Sequence, residues 1–145
     1  MRELPRQLTA EQLAELFEGR TRFIERLATV EDPLARARGL ARDLPADEQK
    51  EALDAHPAIG ATPTSARSAR EQGSDDDAAV LAELAELNRA YEEKFGFRFV
   101  VFVNRRPRRE IVPILRARLE RSREEELETG VDELVQIAID RWVTS

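Results

Sequence analysis

Cysteine is absent from this 145-residue chain, so disulfides, thiol nucleophiles and thiolate metal sites are excluded and a reducing compartment is permitted. Histidine occurs once, which leaves one side chain, His56, whose ordinary pKa suits proton exchange near neutrality. An excess of positive charge is also missing. The 23 basic residues are interspersed with 29 acidic ones for a net charge of −6, which offers no cationic face for nucleic acid. No run approaches the roughly 20 apolar residues that span a bilayer, and the stretch from Met1 to Ala10 lacks the apolar core of a secretory leader. A soluble, cytoplasmic protein with no membrane or nucleic-acid partner is the expectation. Phosphate-cradling glycine loops, a GxSxG elbow and an HExxH metal motif are all lacking. No internal repeat or low-complexity linker divides the chain, so residues 1–145 read as one domain.

What is present is helical patterning. Thr9-Ala10-Glu11-Gln12 has the spacing of a capping box, and Leu13, Leu16, Phe17, Arg20, Ile24 and Leu27 follow at three- and four-residue intervals, predicting one amphipathic helix. Asp32-Pro33 puts a capping side chain ahead of a proline suited to a first helical turn, and Leu34, Ala37, Ala41 and Leu44 continue the period to Pro45. Residues 46–55 read as a short helix that stops at His56-Pro57, because proline disfavours helical geometry in the residue before it. A small, polar stretch over 61–65 leads to a short helix over 66–72 ended by Gly73. Asp75, Asp76 and Asp77 suit the positive end of the next helix, which buries Leu81, Leu84, Leu87, Tyr91 and Phe95 and stops at Gly96. Residues 97–103 are β-like but have no evident partner strand, so an isolated extended segment is expected. Ile111, Ile114, Leu115, Arg118 and Leu119 then mark a helix, and Ser122-Arg123-Glu124-Glu125 opens the last one, with Leu127, Val131, Leu134, Val135, Ala138 and Trp142 inward. The resulting expectation is an all-α, single-domain bundle of about seven helices with one extended segment near 97–103.

His56 falls where a helix meets a loop stiffened by Pro57, a place that can present an imidazole at a concave edge for acid–base work. With no other feature, a lone histidine is more often a surface or satisfied core residue than a catalyst. Ser68, Ala69, Arg70, Glu71 and Gln72 gather hydroxyl, guanidinium, carboxylate and amide, a set able to hold a small ligand rich in amide and carboxylate groups. Ser68 and Glu71 also have capping-box spacing, which explains them equally well. If Glu71 reaches His56, its carboxylate favours the protonated imidazole. Arg141 either complements the dipole of the last helix or clamps a carboxylate or ureido oxygen. The run Arg105, Arg106, Arg108 and Arg109 reads as a solvated turn. Metal-free acid–base chemistry and a non-enzymatic helical interaction module both remain open at this level.

The motifs HPAIG at 56–60, SAREQ at 68–72, LNRAYEEKFGFRFVVFV at 87–103 and QIAIDRW at 136–142 together resemble the 2-oxo-4-hydroxy-4-carboxy-5-ureidoimidazoline (OHCU) decarboxylase family in order and spacing. That resemblance implies an all-α homodimer that uses neither metal nor organic cofactor and converts OHCU to (S)-allantoin during urate breakdown. It implies His56 as catalytic acid and Glu71 as its paired carboxylate. It further implies a substrate pocket lined by Pro57, by Ser68, Ala69, Arg70, Glu71 and Gln72, by Phe99, Val100, Val101, Phe102 and Val103, and by Arg141. An inactive homologue attached to purine breakdown is the alternative within the same family. Ala58, the acidic stretch 73–79 and Arg98 depart from the family pattern; relatives often carry proline at the last of these, and strand-like alternation aims Arg98 away from the pocket.

Overall fold

A computed structural model describes residues 2–59 and 77–145. The helix expected over 66–72, and with it Ser68, Ala69, Arg70, Glu71 and Gln72, lies outside the described residues. Seven helices are described: α1 (Ala10–Phe17), α2 (Arg22–Leu27), α3 (Pro33–Asp43), α4 (Ala46–Asp54), α5 (Ala78–Phe95), α6 (Arg108–Arg118) and α7 (Arg123–Thr144). No strand occurs among the described residues.

The single N-terminal helix expected from periodicity is two. Glu18 turns into the left-handed region at φ 66° to end α1, and the Thr21 hydroxyl accepts the Ile24 N–H to start α2. The two helices keep a common apolar phase, which is why the break is invisible to a periodicity count. The Thr9 and Ser122 capping boxes form as expected. Asp32 acts differently from expectation: it sits at φ 51° and makes no side-chain cap, so Pro33 opens α3 after a left-handed turn instead. Asp77 does cap, its carboxylate accepting the Ala79 N–H at 2.8 Å.

Helix α7 is the long central element, packed by α1, α3 and α4, while α5 pairs with α6. Gly130 packs tightly on α4: an added Cβ would lie 3.1 Å from a methyl of Leu53, three residues before His56, so a larger residue would need the Leu53 side chain to shift. Leu13, Phe23, Ile24, Leu27, Leu34 and Leu53 fill the space between these helices.

At the other end of the core, Tyr91 and Phe95 of α5 meet Phe97 and Phe99 with ring centroids 4.6–5.9 Å apart. Through them runs a buried polar chain. The Tyr91 hydroxyl donates to Glu126 Oε1 at 2.6 Å, Arg118 Nε donates to the same oxygen at 2.7 Å, and Arg121 donates to Oε2 at 2.9 Å. Burial, and then the Glu126 carboxylate, push the Tyr91 phenol upward, so it remains a donor.

Side chains, in place of a neighbouring strand, bond part of the backbone of the extended segment 97–103. Asp54 accepts the Arg98 N–H, Arg118 donates to the Val100 carbonyl, Glu133 accepts the Phe102 N–H, and Arg106 donates to the carbonyls of Phe102 and Val103. Arg106 is therefore a structural tie, where a wholly solvated turn was expected; Arg105 and Arg109 are exposed.

Candidate active site

His56 follows α4 directly and is only 9% exposed. The described stretch of the loop it opens, residues 56–59, is held at two points. Arg98 Nη1, from the extended segment, donates to the His56 carbonyl at 2.8 Å, and Asn88 Nδ2, from α5, donates to the Ile59 carbonyl at 2.9 Å. Arg98 is itself fixed by its backbone bond to Asp54 and by an ion pair to Glu92 at 3.0 Å. These bonds fix the backbone that carries the imidazole, and Nδ1 of that imidazole has no hydrogen-bond partner among the described residues.

Arg141, near the end of α7, is 3% exposed, so it is no ordinary helix-end charge in water. Its Nη1 donates to the Leu16 carbonyl at 2.8 Å and its Nη2 pairs with Glu18 at 3.0 Å. Glu18 holds a left-handed conformation that costs a non-glycine residue roughly 1–2 kcal/mol. Gly19 beside it lets the α1–α2 turn pack on Ala55, the residue preceding His56; an added Cβ would lie 3.2 Å from that of Ala55.

Electrostatically these groups form one cluster. Burial is the main reason that the His56 pKa falls to about 4, Arg141 and Arg98 lower it further, and Glu18 opposes them. At neutral pH the imidazole of the described structure is neutral. Because the buried form resists protonation while the unfolded chain takes a proton near pH 6.5, the folded state loses stability as pH falls from about 6.5 to about 4. The loss is about 3 kcal/mol, from ~1.4 kcal/mol per pH decade over that window. Urea unfolding of the wild type and of His56→Gln at pH 7 and pH 4 should show it: the wild type loses this much more than the variant, and parallel losses would mean that His56 is not buried as neutral imidazole.

Of the residues expected to line a pocket, Pro57 adjoins the imidazole and is half-buried. Phe99 has its side chain in the core, 5.2 Å from Tyr91 and under the Arg118 guanidinium, so only its backbone faces other work. Val100, Val101 and Val103 are buried and Phe102 half-buried. Among the described residues, the Val101 N–H and C=O and the Val103 N–H carry no hydrogen bond, and neither do the Phe99 N–H and C=O or the Val100 N–H. Sequence reasoning passed over Glu18, Asn88 and the holding role of Arg98. Asn88 had a signal, a polar residue one turn after Leu84 on the apolar stripe of α5; Glu18 had none.

The chain is thus a helical fold that buries one imidazole among two guanidinium groups and a carboxylate, the kind of cluster that marks a candidate site for a small polar ligand. A family model described as OHCU decarboxylase matches residues 2–142, and the chain belongs to that family. It is 37% identical over 97 residues to the uric acid degradation bifunctional protein TTL of Arabidopsis thaliana, a match covering 60% of this chain and 30% of that protein. Among solved structures it resembles an OHCU decarboxylase crystallised in the presence of (S)-allantoin, with a TM-score of 0.77 and 27% identity over 92% of this chain and 96% of that one. A second, (S)-allantoin synthase, has a TM-score of 0.68 at 22% identity over 93% of this chain and 48% of that one, a likeness of fold.

Proposed function

We propose that this chain decarboxylates OHCU to (S)-allantoin in urate degradation, with His56 as the acid–base residue. The observation that carries the reading is the family match over residues 2–142. In the substrate the carboxylate sits on a carbon next to an imine. When the bond to carbon dioxide breaks, its electron pair moves onto the imine, giving an ene-diamine that must then take a proton on one face. No external electron sink is needed.

What remains for the chain is orientation and one-sided protonation. The neutral His56 gains proton affinity when a substrate carboxylate arrives beside it, because an opposite charge favours the imidazolium. Substrate binding thus charges the acid it requires. Glu71 is assigned as the carboxylate that orients the ring, Ser68, Ala69, Arg70 and Gln72 as ligand contacts, and Arg141 as the cation that reads a carboxylate or ureido oxygen. The unbonded Val101 and Val103 backbone groups suit the amide-like edge of the heterocycle. The reaction is assigned to the chain's own residues, without metal or organic cofactor, in a cytoplasmic homodimer. Among the described residues, no helix is long and apolar enough to cross a membrane.

The test is to generate OHCU fresh from 5-hydroxyisourate and follow circular dichroism of the product. Catalysed decarboxylation gives optically active allantoin faster than the spontaneous reaction. Racemic allantoin at the spontaneous rate sinks the proposal.

A further inference from the structure

We propose that Glu18 is a positioning residue of this site: a carboxylate carried in on the α1–α2 turn that holds the Arg141 guanidinium for substrate. The inference rests on the decarboxylase reading for what Arg141 does, and on geometry alone for how Glu18 holds it.

Three observations converge on the turn. First, it supplies two acceptors to one guanidinium across more than a hundred residues of chain: the Leu16 carbonyl takes Nη1 at 2.8 Å and the Glu18 carboxylate takes Nη2 at 3.0 Å. A fork held at two nitrogens cannot rotate, which is what reading a planar carboxylate or ureido group requires. Second, the pair is buried, with the Arg141 and Glu18 side chains 1% and 8% exposed. Burying such a pair is a poor way to gain stability, since desolvation consumes most of the attraction. Third, the backbone is arranged for it. Glu18 itself takes the left-handed position, and the glycine next to it is used instead for close packing on Ala55, ahead of His56.

The same carboxylate reaches His56 through space. Among the charged groups acting on the imidazole, Arg141 from α7 and Arg98 from the extended segment oppose its cation, and Glu18 favours it. Removing the negative charge therefore does two things at once: it loosens Arg141 and makes His56 harder to protonate.

Glu18→Gln keeps shape and hydrogen bonding but deletes the charge. In the folded variant, kcat/KM for OHCU should fall at least tenfold and the His56 titration should move to lower pH. Since His56 is the only histidine, its ring carbon signals in NMR report that titration without assignment ambiguity. Glu18→Asp restores the charge but withdraws it by one methylene. Its His56 titration should stay nearer the wild type while kcat/KM remains reduced. Wild-type kcat/KM together with an unmoved titration in folded Glu18→Gln overturns the proposal. If that variant does not fold, wild-type kcat/KM in folded Glu18→Asp does so. Should the wild-type chain not accelerate OHCU decarboxylation at all, the decarboxylase reading fails by itself, and the NMR titrations still decide whether Glu18 acts on His56.

Discussion

His56→Asn should leave the helical fold intact and lower the decarboxylation rate by roughly 10²–10⁴, the usual worth of a positioned acid–base group. The fold should survive because the backbone of His56, not its ring, makes the loop's hydrogen bonds: its N–H to the Leu53 carbonyl at 3.1 Å and its carbonyl from Arg98. Asparagine also relieves the burial of a titratable ring whose Nδ1 has no partner among the described residues. Glu71→Gln should slow the reaction as well, by removing the charge assigned beside the imidazole. If the two act as one unit, the double variant loses far less than the sum of the single losses. The measurement is a double-mutant cycle on the rate of OHCU loss, with far-ultraviolet circular dichroism to confirm folding. Full activity in folded His56→Asn removes this residue from the mechanism; strictly additive losses separate Glu71 from it.

How much of this was legible in the sequence follows from the range of the interactions involved. Helices that announce themselves by local chemistry appear where expected: the boxes at Thr9 and Ser122, the Asp77 cap and the Gly96 stop at φ 81° all involve residues within a few positions. The break at Glu18 was hidden because a left-handed glutamate carries no compositional mark and α1 and α2 share one apolar phase. His56 was legible from its uniqueness and its following proline. Its environment was not, since Arg98 bonds its carbonyl from 42 residues away, Asn88 ties Ile59 of the same loop from 29 residues away, and Glu18 acts on the ring through its field alone. The buried state of Arg141 was equally hidden. On a helical wheel it is one more cation near a C-terminus, and only the packing of α1 against α7 turns it inward. Likewise the extended segment was recognisable by its β-rich composition, yet the side chains that replace its missing strand come from four separate elements.

Of those ties, the Arg118 guanidinium has the largest effect on stability. Arg118→Met should destabilise the protein by about 3 kcal/mol, the low end of the cost of stripping one partner from a buried ion pair, because Arg121 still donates to Glu126 Oε2 at 2.9 Å. Arg118 is 6% exposed and Glu126 is fully buried. The substitution deprives Glu126 of its 2.7 Å donor, leaves the Val100 carbonyl without its 2.8 Å donor, and takes the cation from the face of Phe99. Methionine fills a similar volume, so the loss comes chiefly from charge and hydrogen bonding and not from a cavity. Tyr91→Phe and Glu126→Leu added to Arg118→Met should therefore recover a good part of the stability, because the whole buried set then becomes apolar. Activity should not return with it, since Val100 stays untied and the segment assigned to substrate through Val101 and Val103 loses that anchor. Urea unfolding at pH 7 measures the first two outcomes and the OHCU assay the third. A loss under 1 kcal/mol in Arg118→Met would show that the network is solvated, and full activity in the stabilised triple variant would show that the tie to Val100 is not what shapes the site.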